Sequence, residues 1–228
     1  MGLVHYTFCP VCGSGNLKNV FTVKDFTVSK KEFVIAGCND CTLRFTQDVP
    51  GVDSIGPYYK SENYISHTDT SKGLVNSLYK KIRNRTLRQK RKLIEVITNK
   101  KNGTLLDVGS GRGYFLARVK GKRTVGCDLL GGDVMASAER LPFKTKAFDI
   151  VTCFHTLEHT RNLAAAIAEL RRVARRQLIV IVPRQRRFFY TLDLHLQFFE
   201  TPEALAKAMG GGGEIRQFGS DLVYISAP

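Results

Sequence analysis

From Gly103 onward, apolar runs of five or six residues alternate with stretches whose apolar positions recur at helical spacing. The runs predict strands near 104–109, 123–128, 133–137, 148–153, 177–182, 214–218 and 222–227, and the spacing predicts helices near 112–120, 161–176 and 201–209. Such alternation implies a parallel sheet with helices on its faces. Gly219-Ser220-Asp221 between the last two strands is a hairpin signal, so one of them runs antiparallel. Only Leu129 to Asp133 separate the second strand from the third. Five extended residues reach about 17 Å, enough to recross a short strand and too few for a helix. The usual crossover helix is expected to be missing there.

Ahead of this unit the pattern changes twice. Residues 1–48 are rich in β-formers, Val20 to Val28 and Glu32 to Ala36, flanked by Cys9-Pro-Val-Cys12 and Cys38-Asn-Asp-Cys41. Two Cys-x-x-Cys turns 25 residues apart give four thiolates, a closed tetrahedral set for a structural Zn²⁺. A redox dithiol would need only one such pair. Residues 49–101 read as a linker with Pro57, Tyr58, Tyr59, Tyr64 and His67, then a helix starting near Ser71 or Ser77 and running to about Asn99. Leu74, Leu78, Ile82, Leu93, Ile94 and Ile97 give that helix an apolar stripe. The resulting units are 1–48, 49–101 and 102–228.

The chemistry concentrates where the first strand ends. Residues 104–113 run from apolar strand into Gly109-Ser-Gly111-Arg-Gly113, and a second strand ends on Asp128, twenty-one residues after Asp107. A strand, a glycine turn and a later acid hold a nucleotide-type cofactor: backbone approaches the ligand at the glycines, and the acid accepts from ribose hydroxyls. The dinucleotide fingerprint wants a third glycine where Tyr114 stands. An acid at 107 suits a ligand with an ammonium group better than a pyrophosphate.

Composition narrows the class. With 228 residues, 43% hydrophobic and 24% charged, the chain holds one good core and an appendage. No run approaches a membrane span and no signal-peptide core is visible, so a cytoplasmic protein is expected. The net charge of +15 is uneven: residues 71–101 hold eleven Lys or Arg against Glu95, and residues 171–187 hold seven Arg and no acid. Such runs attract polyanions, although most are solvated faces. Cys127 and Cys153, at strand ends, read as inert core residues.

Taken in order, these motifs resemble the class I S-adenosylmethionine-dependent methyltransferases over residues 104–228. Leu105-Leu-Asp-Val-Gly-Ser-Gly-Arg-Gly113 is similar to the first motif and Gly126-Cys-Asp128 to the ribose acid. Glu139-Arg-Leu-Pro-Phe143 and Phe148 to His159 resemble the third and fourth strands with the active-site loop, and Gln177 to Pro183 the fifth strand. The resemblance implies an α/β, Rossmann-like sheet of seven strands in the order 3-2-1-4-5-7-6, with an N-terminal zinc ribbon and a helical bridge. It implies S-adenosyl-L-methionine as cofactor, held by Asp107, Gly109, Ser110, Gly111, Gly113, Asp128, Leu129, Ser137, Ala138, Glu139 and Phe154. Ser137 stands where many relatives carry Asp against the adenine. His155 and His159 are the catalytic candidates in His-Thr-Leu-Glu-His, and His195 resembles an acceptor-pocket residue. No Asn-Pro-Pro-Tyr or Pro-Cys pair follows the fourth strand, which argues against amino methylation of adenine or glutamine and against cytosine C5 chemistry. The first reading is methyl transfer to a small-molecule acceptor, a sugar or glycan precursor. The second is an RNA methyltransferase, and the third a non-catalytic binding protein on a degenerate core. Tyr59, Tyr64 and His67 are expected near the acceptor.

Overall fold

The computed structural model describes residues 3–26, 29–51, 74–98, 103–119, 122–185 and 195–226. The linker residues 52–73, with Pro57, Tyr58, Tyr59, Tyr64, His67 and Ser71, lie outside them, as do residues 186–194.

The principal sheet has seven strands: β6 (Thr104–Val108), β7 (Arg123–Asp128), β8 (Val134–Met135), β9 (Phe148–Phe154), β10 (Ala174–Pro183), β12 (Glu214–Phe218) and β13 (Asp221–Ser226). Their order is β12-β13-β10-β9-β6-β7-β8, which is the expected 3-2-1-4-5-7-6. β8, β7, β6, β9 and β10 run parallel, while β13 is antiparallel to both β10 and β12. The central strands are buried on both faces, which explains their unbroken apolar runs.

Alternate residues serve opposite layers. Leu105, Ile150, Ile179, Ile181 and Val223 meet Leu87, Leu93, Ile94 and Ile97 of the long helix α1 (Leu74–Thr98). Leu106, Val151, Leu178, Val180 and Val182 meet Leu163, Ala166, Ile167 and Leu170 of α2 (Leu163–Val173). Asn162 caps α2 by accepting from the Ala165 amide at 3.0 Å, and Thr201 caps α3 (Pro202–Ala208) by accepting from the Ala204 amide at 3.2 Å. Cys127 and Cys153 are free and fully buried in this core.

The N-terminal unit is β-rich, with β1 (Leu3–Val4), β2 (Leu17–Lys24), β3 (Glu32–Cys38), β4 (Arg44–Thr46) and β5 (Val49–Pro50). Its four-stranded sheet is ordered β11-β4-β3-β2, and the outer strand β11 (Gln197–Phe198) comes from beyond β10. Gln197 pairs with Phe45 and Phe198 with Arg44. The Thr46 amide donates to Leu196 O at 3.0 Å, the Thr46 hydroxyl to His195 O at 2.7 Å, and Arg44 to Glu200 at 2.8 Å. Cys9, Cys38, Cys41, Leu43 and Phe45 belong to the same apolar cluster as α2 and the principal sheet.

Several local expectations change. The helix near 112–120 is reduced to a single 3-10 turn, Leu116–Arg118. Gly111 and Gly113 hold φ at +51° and +71°, which no helix tolerates. Arg118 instead bridges to Tyr114 O and to Asn84 of α1, at 2.7 and 2.6 Å. As expected, no helix joins β7 to β8 among the described residues. β8 shortens to two residues. α2 stops at Val173 rather than 176, because Arg175 and Arg176 are already in β10 and reach Asp149 of β9 at 2.6 and 3.3 Å. No described helix is long and apolar enough to cross a membrane.

Candidate functional site

β6 delivers the chain into the glycine turn at the carboxyl edge of the sheet. Gly109 sits at φ +78°, and a Cβ there would lie 1.9 Å from Thr156 Oγ1. Gly111 and Gly113 also have positive φ, but a Cβ on either would meet open space. That space is a cleft of about 430 Å³, lined among others by Ser110, Gly111, Gly113, Gly126, Gly132 and Asp133, within the usual range for a small-ligand site. Gly126 keeps it open, since a Cβ there would come 2.8 Å from Ser110 Oγ. Ser110 Oγ is buried and has no hydrogen-bond partner among the described residues. At the rim, Asp128 Oδ2 accepts from the Gly111 amide at 2.9 Å and Oδ1 from the Leu130 amide at 3.0 Å.

Behind the turn the sheet register sets Asp107 beside Thr152, whose hydroxyl donates to Asp107 Oδ1 at 2.7 Å. Burial pushes the Asp107 carboxyl up to about 7, with the Thr152 hydrogen bond and the Lys90 charge pulling the other way. Lys90 of α1 is itself buried, with Nζ 5.1 Å from the centre of the Phe154 ring. Burial draws its ammonium below the usual lysine range, against the attraction of Asp221, Asp107 and Glu158.

Beyond the end of β9, His155 adopts φ +53°, a left-handed conformation that costs a non-glycine residue about 1–3 kcal/mol. Its amide donates to Ile181 O at 2.8 Å. Its Nε2 lies 3.3 Å from Asp221 Oδ2 and its Nδ1 3.7 Å from Glu158 Oε1. Burial pulls the His155 imidazole down, partly countered by Asp221. His159 and His195 stack edge to face, with ring centres 4.9 Å apart. Burial, followed by repulsion from His159 and His155, holds His195 well below the usual histidine range.

On the other side of the core, Cys9, Cys12, Cys38 and Cys41 converge, with all four sulfurs within 4.8 Å of one another. Cys9 and Cys41 are 3.4 Å apart and Cys12 and Cys38 3.6 Å. Tetrahedral Zn–S bonds of about 2.3 Å place sulfurs about 3.8 Å apart, so the cluster fits zinc. Amides of Cys12 and Val11 point at the Cys9 sulfur, while burial pushes that thiol up to about 11. A coordinated cation removes such a proton outright.

Residues 106–182 match the protein family described as Methyltransferase domain. Over that stretch, about a third of its length, the chain is similar to methyltransferase domains. Two solved structures share its fold at TM-score 0.54. The PH0226 protein of Pyrococcus horikoshii is 17% identical and aligns over 75% of this chain and 98% of its own. The magnesium protoporphyrin IX methyltransferase of Synechocystis, solved with bound SAH, is 16% identical over 75% of this chain and 96% of its own. An uncharacterized protein of Methanocaldococcus jannaschii is 34% identical over 102 residues, covering 40% of this chain and 45% of that protein. The chain thus spans just under half the length of the curated relative it matches.

The expected cofactor residues divide into groups. Ser110, Gly111 and Gly113 line the cleft and Asp128 stands at its rim, while Leu129 is exposed beside it. Asp107 lies behind the turn, and Phe154 packs edge to face on Phe115 at 5.0 Å. Ser137 Oγ accepts from the Glu139 amide at 3.2 Å, and Ala138 is in the core. Glu139 Oε1 accepts from the Arg161 and Asn162 amides at 2.8 and 3.1 Å, which fixes the loop entering α2. Lys90, Asp133 and Asp221 escape sequence reasoning. Lys90 sits in a run of like charges and gives no signal there, whereas Asp221 follows a hairpin turn that masks its role.

Proposed function

We propose that this chain transfers a methyl group from S-adenosylmethionine to a small-molecule acceptor bearing a hydroxyl, of the sugar or glycan-precursor class. The observation that carries the reading is the cleft between the glycine turn and β7, with open glycine backbone and the buried Ser110 hydroxyl on it and the Asp128 carboxylate bonded to the Gly111 amide that lines it. Ser110, Gly111, Gly113 and Asp128 would hold the cofactor. When bound, it supplies an electrophilic methyl with a good leaving group, so the protein's work is to align the reactants and exclude water.

The chain's own groups fit the rest. Lys90 and Asp107 place one cation and one acid behind the glycine turn. In this reading His155, 3.3 Å from Asp221, would accept the proton of a hydroxyl acceptor. His159 and His195 stack on each other within electrostatic range of His155. We assign structural zinc to Cys9, Cys12, Cys38 and Cys41, a closed set with no open coordination position. The inner face of the basic helix is occupied in packing, with Lys90 and Ile94 buried and Arg91 paired with Glu95 at 3.4 Å. This favours a small acceptor over RNA. Mass spectrometry of co-purified ligand, followed by transfer of labelled methyl to hydroxyl compounds of that class, tests the reading. Labelling of RNA but of no small molecule would replace it.

A further inference from the structure

Outside the glycine-turn cleft and the four cysteines, the described residues assemble one more donor set. Glu158, His159 and His195 each offer a ligand atom, and those atoms all lie within 4.8 Å of one another. Glu158 and His159 belong to the 3-10 turn Leu157–His159 that follows β9. His195 arrives from beyond β10; one hydrogen bond joins the two segments and two more anchor them separately. The Leu196 amide donates to Glu158 O at 2.7 Å, the Thr46 hydroxyl to His195 O at 2.7 Å, and the His159 amide to Thr156 O at 3.0 Å. The donors are therefore assembled by backbone anchoring before any ion arrives, which lowers the ordering cost of coordination.

Donor chemistry indicates the ion. Two imidazoles and a carboxylate suit divalent first-row transition metals, whereas magnesium prefers oxygen alone and thiolates belong to the ribbon. Bonds of about 2.0–2.2 Å require donors roughly 3–4 Å apart, which the present spread reaches by small side-chain rotations. Glu158 is buried, but His159 and His195 are each partly exposed. Three protein donors with two partly exposed imidazoles leave coordination positions for an outside ligand.

We propose that Glu158, His159 and His195 bind a divalent first-row transition ion, distinct from the cysteine-bound zinc, whose open positions take oxygen atoms of the acceptor. The metal site stands on its own geometry; only the acceptor clause rests on the methyl-transfer reading.

Manganese is the probe of choice, because it avoids thiolates and reports its free concentration by electron paramagnetic resonance. Full-length protein with its cysteine cluster saturated with zinc should bind one equivalent of Mn²⁺. His159→Ala, His195→Ala and Glu158→Gln should each weaken binding by at least about tenfold. Melting curves and S-adenosylhomocysteine titrations verify that the His195→Ala protein is folded, and His195→Asn, which keeps much of the ring's bulk, backs it up. No manganese binding by the parent protein would overturn the site, as would full binding by the His159→Ala, His195→Ala double variant. Manganese binding without S-adenosylhomocysteine binding would leave the metal site standing and defeat the methyl-transfer reading.

Discussion

Stripping zinc from the cysteine cluster should loosen a segment some 150 residues away in sequence. The ribbon sheet buries Ile35, Leu43, Phe45 and Val49 completely, worth roughly 6–12 kcal/mol at about 1.5–3 kcal/mol per side chain. Structural zinc in small modules contributes about 10–16 kcal/mol, so the metal-free sheet is expected to open. Its outer strand is β11, and the coupling can be counted from the structure. Thr46 N–H to Leu196 O, Thr46 Oγ1 to His195 O, Arg44 to Glu200 and the Gln197–Phe45 and Phe198–Arg44 ladder would be lost. At about 1 kcal/mol each, these five sum to about 5 kcal/mol, or roughly five-thousandfold in the local opening equilibrium. The Leu196–Glu158 and Gln185–Phe199 backbone bonds remain and limit the movement. Hydrogen exchange with mass spectrometry, before and after chelation or in Cys38→Ser, reads this directly. Protection should fall in peptides covering 32–46 and 195–200, with little change in 104–108 and 148–154. Free exchange of 32–46 with 195–200 still fully protected would refute the coupling.

Gly109→Ala forces a Cβ against Thr156 Oγ1 at a positive φ. It should cost about 2–4 kcal/mol and lower Tm by roughly 5–15 °C, whereas Gly111→Ala, in open space, should cost less; differential scanning calorimetry compares the two. Asp149 accepts from the Thr104 amide at 3.0 Å and pairs with Arg175, and its carboxyl is held down at about 2, below the ordinary 3.8. Its stabilisation is therefore present above pH 3.8 and lost as pH falls toward 2, about 1–2 kcal/mol after allowance for solvent screening. Acid titration of Tm should show a shallower decline over that window in Asp149→Asn. RNA affinity should be weak and insensitive to reversing Arg85 and Arg88. A sub-micromolar affinity for a defined RNA that falls about 0.7 log units per log salt for each single-strand contact, and is abolished by those reversals, would favour the RNA reading.

The antiparallel final hairpin and the missing crossover helix between β7 and β8 were legible because each rests on local pattern, a Gly-Ser-Asp turn and a span too short for a helix, whereas the strand order came from the family resemblance. The helix after β6 misled, since the apolar spacing of Tyr114 to Val119 is helical while the glycines before it hold backbone that no helix can use. Three site features were invisible for a different reason. β11 completes the ribbon sheet only through contacts about 150 residues apart, Lys90 is one cation among eleven, and Asp221 reaches His155 only after the hairpin folds back. None of these leaves a periodic trace, and tertiary packing alone selects them.

The central claim is that the cleft beside the glycine turn holds S-adenosylmethionine through Asp128. Calorimetric titration of S-adenosylhomocysteine into the parent protein and into Asp128→Ala tests it most directly. The account predicts binding by the parent and a loss of about 1.5–3 kcal/mol, roughly tenfold to a hundredfold, in the variant. Equal affinity in the two proteins, or tighter binding of NAD by the parent, would contradict it.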